Sequence, residues 1–433
     1  MTATATRSLR PLAGVLTAMA LALTGTRISV IALPWFVLVT TGSATRTGLV
    51  AFCEMAPYVL VKALIGPLLD RSSPRTVSWS ADAVSATAAL TIPALHTADL
   101  LSFPVLLALV AVIGTARSPG DLAKEVMIPE AAERGRIPLE RATGLAGVTE
   151  RLAFTVGPAA GGSLVALLGP LAGLAVNAAC FAAGSVVIAL VVPRGIGRGA
   201  EHPGHDEDAP GYWRRLGEGM RFLRRDPLLL TVTAMIAITN LLDAAFSSVL
   251  LPVWAKESGN GPAAVGLIGT VWGLSAVAGS LVAAAVAHRL KRRIVFFAGF
   301  LLAGAPRFLI LAFDIPVWAM LTVFFPSGFG AGFLNPILGA VLYERIPRRL
   351  LGRVRGLGTS LAWMGIPLGG LVAGAAVSSF GLLPALVTAG VTYFLTTNLA
   401  GLRPEWRQMD RKHTQGRNLP EEQVPARKDT ADT

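Results

Sequence analysis

Stretches of about twenty apolar residues recur along almost the whole chain of 433 residues. An α-helix rising about 1.5 Å per residue needs roughly that many to cross a hydrocarbon core of about 30 Å. Only 15% of the residues are charged, where soluble domains carry about 25%. The charges are also concentrated: segments 193–227 and 403–433 hold 13 each. What remains is too apolar to form a globular surface. This excludes a soluble enzyme, a nucleic-acid-binding domain and a disordered chain.

Apolar runs read against their polar breaks predict twelve helices, at 11–39, 46–68, 76–96, 101–127, 138–166, 169–192, 228–254, 263–287, 294–313, 316–343, 353–379 and 381–402. Arg7 and Arg10 precede the first run as they would in a signal peptide, but that run continues to Val39 and is far longer than a cleavable apolar region. With the N-terminus inside, 30 of the 38 Lys and Arg residues fall on the cytoplasmic side, against Arg46 and Lys256 outside. Basic residues mark the cytoplasmic face, so both termini are expected there. The expected organisation is a six-helix bundle at 1–192, a solvated cytoplasmic loop at 193–227, a second six-helix bundle at 228–402 and a disordered cytoplasmic tail at 403–433.

The two halves are related. A shift of 218 residues places Pro34 on Pro252, Gly48-Leu49 on Gly266-Leu267, Arg71 on Arg289 and Pro129 on Pro347. Six spans precede the shift, so both copies share one membrane orientation. Two parallel six-helix repeats around a midplane cavity form an architecture suited to alternating access.

Three stretches carry a resemblance. After the second helix, Gly66-Pro67-Leu68-Leu69-Asp70-Arg71-Ser72-Ser73-Pro74-Arg75 resembles the G-x-L-x-D-R-x-G-R/K loop of the major facilitator superfamily. The fifth helix carries Gly144, Ala153 and Gly157-Pro158-Ala159-Ala160-Gly161-Gly162, similar to the helix-5 motif of drug/proton antiporters in that superfamily, with Ala153 where a Gly is usual. Gly365-Ile366-Pro367-Leu368-Gly369-Gly370 is a cousin in the eleventh helix. Small residues on one helical face permit close backbone packing, and Pro frees a carbonyl and bends the helix. Finally, Ala32-Leu33-Pro34-Trp35, Thr41-Gly42-Ser43-Ala44, Thr47-Gly48-Leu49 and Ala56-Pro57 look like the start of the branch containing macrolide and enterobactin exporters. The resemblance implies an all-α membrane protein of twelve helices. It implies a cytoplasmic latch at Gly66, Asp70, Arg71 and Arg75, a helix-5 packing seam, and proton-coupled export of a hydrophobic or amphipathic drug, natural product or siderophore across the bacterial inner membrane.

An ionisable group inside a membrane is a functional-site hypothesis by default. Glu54 shares a helical face with Tyr58 and Lys62. A carboxyl group in a low-dielectric cavity favours its protonated form and can exchange a proton near neutral pH. A salt bridge from Glu54 to Arg27 is the competing structural reading, and the two can coexist. Asp243 has Asn240 and Ser247 on its face. Arg117 is a further candidate, or else simply neutralises Asp121 four residues on. Asp82 and Arg307 are placed nearer helix ends, where snorkelling is available. Trp35, Trp272 and Trp363 are candidates for an apolar pocket.

The five histidines fall in loops or at helix ends, and Cys53 and Cys180 have no partner nearby, so no metal, cofactor or catalytic cluster is expected. There is no G-x-x-x-x-G-K-[ST] phosphate loop. The expected partners are a small-molecule substrate, protons and the lipid bilayer, without nucleic acid, for a monomeric transporter. An importer or uniporter on the same scaffold is the neighbouring reading, and a non-transporting membrane receptor a more distant one.

Overall fold

The computed structural model describes residues 8–65, 72–196, 212–286, 291–346, 351–403 and 406. Its first half consists of α1 (Arg10–Thr41), α2 (Ala44–Leu64), α3 (Pro74–Thr97), α4 (Phe103–Gly135), α5 (Leu139–Leu168) and α6 (Pro170–Val191). A short helix, α7 (Tyr212–Arg225), leads to α8 (Pro227–Ala245), a π-turn (Phe246–Leu250) and α9 (Leu251–Glu257), which together make one span. Then follow α10 (Gly261–Val286), α11 (Arg292–Ala303), α12 (Ala305–Ile310), α13 (Val317–Arg345), α14 (Leu351–Trp363), α15 (Ile366–Phe380) and α16 (Leu382–Leu402). The predicted tail beyond Trp406 and residues 66–71 of the loop motif lie outside the described residues.

Eleven spans among the described residues are long and apolar enough to cross a membrane, where the sequence predicts twelve. The one that differs is α3. Its 24 residues suffice in length, but Ser78, Asp82 and Ser85 lower its hydropathy. All three are fully buried, while Trp79, Val84 and Leu90 face outward. Its polar residues thus point into the bundle, against α4 and α6.

Breaks in the later helices have a proline cause. Pro306 and Pro367 lack the N–H that would continue the ladder and crowd the carbonyl four residues back. The chain accordingly leaves helical geometry at Gly304 and at Met364. The π-turn lies just before Pro252, the repeat partner of Pro34, which α1 accommodates without a break. Gly169 and Gly381 occupy equivalent turns, α5 to α6 and α15 to α16, with φ of 83° and 85°. A side chain is disfavoured in that left-handed region.

The central segment, expected as a solvated linker, contains α7. Trp213, Leu216, Met220 and Leu223 recur at helical spacing, and Leu223 is buried with Leu229, Ile346 and Val354. Asp226 then caps α8, accepting from the Leu228 and Leu229 amides at 3.1 Å, and pairs with Arg345 at 2.9 Å. The linker's end is thereby pinned to the second half.

Helices α1–α6 pack among themselves, as do α8–α16, and the two groups meet along two seams, α5 on α10 and α2 on α15. Each seam is a glycine contact. A Cβ on Gly162 would lie 2.6 Å from the Gly266 Cα. At the other seam Gly48 abuts the Gly370 backbone. Gly48 and Gly266 are repeat partners, so the same position makes both seams. Around them, Thr45 Oγ1 and Ser378 Oγ are 2.6 Å apart, and Lys256 Nζ donates to the Leu38 carbonyl at 2.8 Å. All these contacts lie near one end of the molecule, the end with the Gly42 and Gly169 turns. Toward the opposite end the seams loosen: side chains on Gly144, Gly147 or Gly356 would meet nothing within 4 Å, and Lys62 lies over the Trp363 ring at 4.5 Å.

Gly162→Val is therefore expected to lower stability by about 1–3 kcal/mol, the usual penalty of overpacking. Gly144→Ala, facing open space, should leave it unchanged. Thermal unfolding in detergent distinguishes them, and equal midpoints for the two variants would refute the seam.

Candidate functional site

Between the two groups lies a cavity of about 520 Å³. Its wall is largely apolar, with Ile31, Phe154, Phe246 and Phe324 among its residues, and its ionisable groups are Arg27, Glu54, Asp243 and Arg307. Four helices and the π-turn position them. Glu54 sits on α2 six residues beyond the Gly48 seam, about 9 Å along the axis. Asp243 is one turn ahead of the π-turn, whose Phe246, Ser247 and Ser248 line the same wall. A π-turn rotates the following side chains relative to an α-helix and commonly marks functional sites.

Glu54 does not pair with Arg27. It accepts from Arg117 Nη1 of α4 at 2.9 Å, and the two side chains retain only 14% and 8% of their exposure. Arg117 also lies 4.4 Å over the Tyr58 ring and 3.8 Å from Asp121, so its tie to Asp121 is the longer of its two. Tyr58 Oη donates to Asp121 at 3.5 Å. Lys124 stands 3.8 Å from Asp121 and 2.8 Å from Asp82, and Lys124 and Asp82 are both fully buried. A continuous chain of charged groups therefore runs from the cavity wall at Glu54 into the first bundle. Asp82 is an interior partner in it and does not snorkel.

In the second half Asp243 pairs with Arg307 of α12. Arg307, placed by sequence near a helix end, is instead buried beside the cavity among Phe246, Phe308 and Tyr393. Asn240, one turn earlier, donates to the Ala362 carbonyl at 2.9 Å. Arg27 rests 3.3 Å over the centre of the Phe154 ring. Of the three tryptophans, Trp272 lines the cavity, while Trp35 packs against the core and Trp363 meets Lys62.

The helix-5 glycines divide their work. Gly157 lies against the Arg27 side chain, Gly161 against the Ile28 backbone of α1, and Gly162 across the seam, while Pro158 lines the cavity. Gly144 touches nothing. Of the loop motif, Gly66, Asp70 and Arg71 lie outside the described residues. Arg75 begins α3 and donates to the Val192 carbonyl at 2.6 Å and to that of Ala189, closing the end of α6. Among the described residues no cluster of three or more His, Cys, Asp or Glu could hold a metal.

Removing one member of a buried ion pair costs about 3–5 kcal/mol because its partner is left charged and unmatched. With Asp121 still 3.8 Å from Arg117, Glu54→Ala is expected at or below the low end of that range, and Glu54→Ala with Arg117→Met to recover part of the loss. A double variant whose loss in thermal unfolding equals or exceeds the sum of its singles would show that the pair is not the coupled unit.

A family model described as transmembrane secretion effector matches residues 8–431. The chain is 30% identical over 407 residues to the multidrug efflux pump Tap of Mycobacterium tuberculosis, covering 92% of this chain and 94% of that relative. It is 29% identical over 390 residues to the pump of the same name from Mycolicibacterium fortuitum, covering 89% and 94%. Among solved structures, the nucleoside transporter NupG shares the fold with a TM-score of 0.72 at 13% identity, covering 91% of this chain and 98% of that one.

Proposed function

From the chain's membership of the transmembrane secretion effector family, within the major facilitator superfamily, we propose that this multi-pass bacterial inner-membrane protein exports amphipathic drugs or natural products by proton-coupled alternating access. The observation that carries this reading is the Glu54–Arg117 ion pair on the wall of an inter-bundle cavity. α3 is the twelfth crossing, since its polar residues face inward. Both termini are cytoplasmic, as the basic residues favour, and the seam around Gly48 and Gly162 is the outer closure of an inward-open state.

Coupling follows from which helices hold the charges. Protonating Glu54 removes its attraction for Arg117, leaving Arg117 to Asp121 and freeing α2 from α4. α2 is also the helix that meets α15 at Gly48. In the other bundle Asp243 sits on α8, which packs on α15 through Gly365 and Gly369. A change of charge on either wall thus acts on a helix that forms a seam. The Gly66, Asp70 and Arg71 loop serves as the cytoplasmic latch, engaged once the outer seam opens.

Everted vesicles with an acid-inside gradient test the coupling. A panel of fluorescent amphiphiles should include compounds that accumulate, with accumulation abolished by a protonophore and by Glu54→Gln. Accumulation indifferent to both would sink the coupling role. Rocking is tested separately with Thr45→Cys and Ser378→Cys combined: oxidation should arrest transport and reduction restore it, whereas full transport by the cross-linked protein would overturn alternating access.

A further inference from the structure

Both carboxylates of the cavity already have a guanidinium partner, Glu54 in Arg117 and Asp243 in Arg307. Arg27 is the cation left over. Among the described residues it makes no ion pair: Glu150, one turn before Phe154 on α5, is exposed and does not pair with it. Its Nε is buried without an acceptor. Trp272 Nε1 and Arg307 Nε on the same cavity wall are in the same condition. Among the described residues, the buried cavity-wall side-chain atoms without a protein partner are thus all N–H donors.

Arg27 and Trp272 flank one stretch of α5. Gly157 lies against the Arg27 side chain, and a Cβ on Gly273, next to Trp272, would be 3.1 Å from the Phe154 carbonyl oxygen. A buried donor without an acceptor is unfavourable until something supplies one, and a charged acceptor forms the strongest hydrogen bonds with a guanidinium.

We propose that the cavity's cargo is an amphipathic anion, an apolar body bearing a carboxylate or other anionic oxygen group, with that group seated on Arg27 and Trp272. The assignment of the bound molecule as cargo rests on the export reading above; the charge preference of the cavity does not. An anion also suits the charge balance of the wall, where the ionisable group without an ion pair among the described residues, Arg27, is positive.

The test is calorimetric titration of the full chain in phosphatidylcholine nanodiscs with 1-naphthylacetate, its methyl ester and 1-naphthylmethylammonium. The three share one ring system and differ in charge. The carboxylate is expected to bind at least about tenfold more tightly than either analogue, the scale of one charge-assisted hydrogen bond. Arg27→Gln should erase the preference and Arg27→Lys retain part of it. Equal or tighter binding of the ester or the cation, absence of carboxylate binding, or a preference that survives Arg27→Gln would overturn the proposal. The wild-type series alone decides it if the variants fail to fold. Phosphatidylglycerol competing the carboxylate off would assign the seat to a lipid headgroup and overturn the cargo assignment. No gradient is involved, so absent preference beside intact gradient-driven export overturns this inference alone, and the reverse overturns only the export reading.

Discussion

The two halves of this protein touch where they have no side chains. Gly162 against Gly266 and Gly48 against Gly370 bring backbones of different bundles together. Between helices in lipid there is no hydrophobic effect to draw them in, so association relies on van der Waals fit and the polar contacts that close approach permits. The hydroxyl pair of Thr45 and Ser378, and the Lys256 bond to the Leu38 carbonyl, are within reach because the glycines let the helices meet. Such a seam is also reversible. Small, flat surfaces separate without extracting interlocked side chains, which is what the proposed rocking requires.

With the seam at one end, the space behind it becomes a cavity, and the charges on its wall acquire meaning from the helices that hold them. A buried ion pair is a weak source of stability, since desolvation offsets much of its attraction. It is a strong source of conditional geometry, because neutralising one partner leaves the other unmatched. Glu54 and Arg117 bridge α2 and α4, and Asp243 and Arg307 bridge α8 and α12. The polar chain behind Arg117, through Asp121 and Lys124 to Asp82, gives the arginine a second carboxylate nearby. Release of Glu54 is therefore less costly than isolation of Arg117 would be.

The membrane helices, and Gly162 and Gly370 as packing residues, were legible in the sequence, because each is a local or periodic property. Apolar run length located the crossings, and Gly157 to Gly162 announced close packing before any partner was known. Pairing was not legible. Periodicity tells which residues share a face of one helix but not which neighbour that face meets, so adjacency of helices offers Arg27 as a partner for Glu54 when the partner lies 63 positions away on α4. Asp82 and Arg307 are obscured for the same reason, since distance from a helix end says nothing of orientation. Arginines mask the helix α7, although Trp213, Leu216, Met220 and Leu223 carry its period. Pro306 and Pro367 carry the signal for the two broken spans.

The repeat also explains why the two bundles do unlike chemistry. The 218-residue shift places Trp272 at the position of Glu54, and both line the cavity. One copy supplies a carboxyl group, the other an indole donor. The converse exchange is blocked by packing: Gly25 stands where the second half has Asp243, and a Cβ there would lie 2.7 Å from the Cys180 Cβ. Ala245, buried in the core of the second half, stands where the first has Arg27. Duplication thus gives symmetric seams, which the proposed rocking would need, while substitution at equivalent cavity positions gives an asymmetric wall. A symmetric wall would present identical groups to both sides of a bound molecule. An asymmetric one can hold the proposed proton on Glu54 and the proposed substrate group between Arg27 of one bundle and Trp272 of the other, and a movement of the shared seam would link the two.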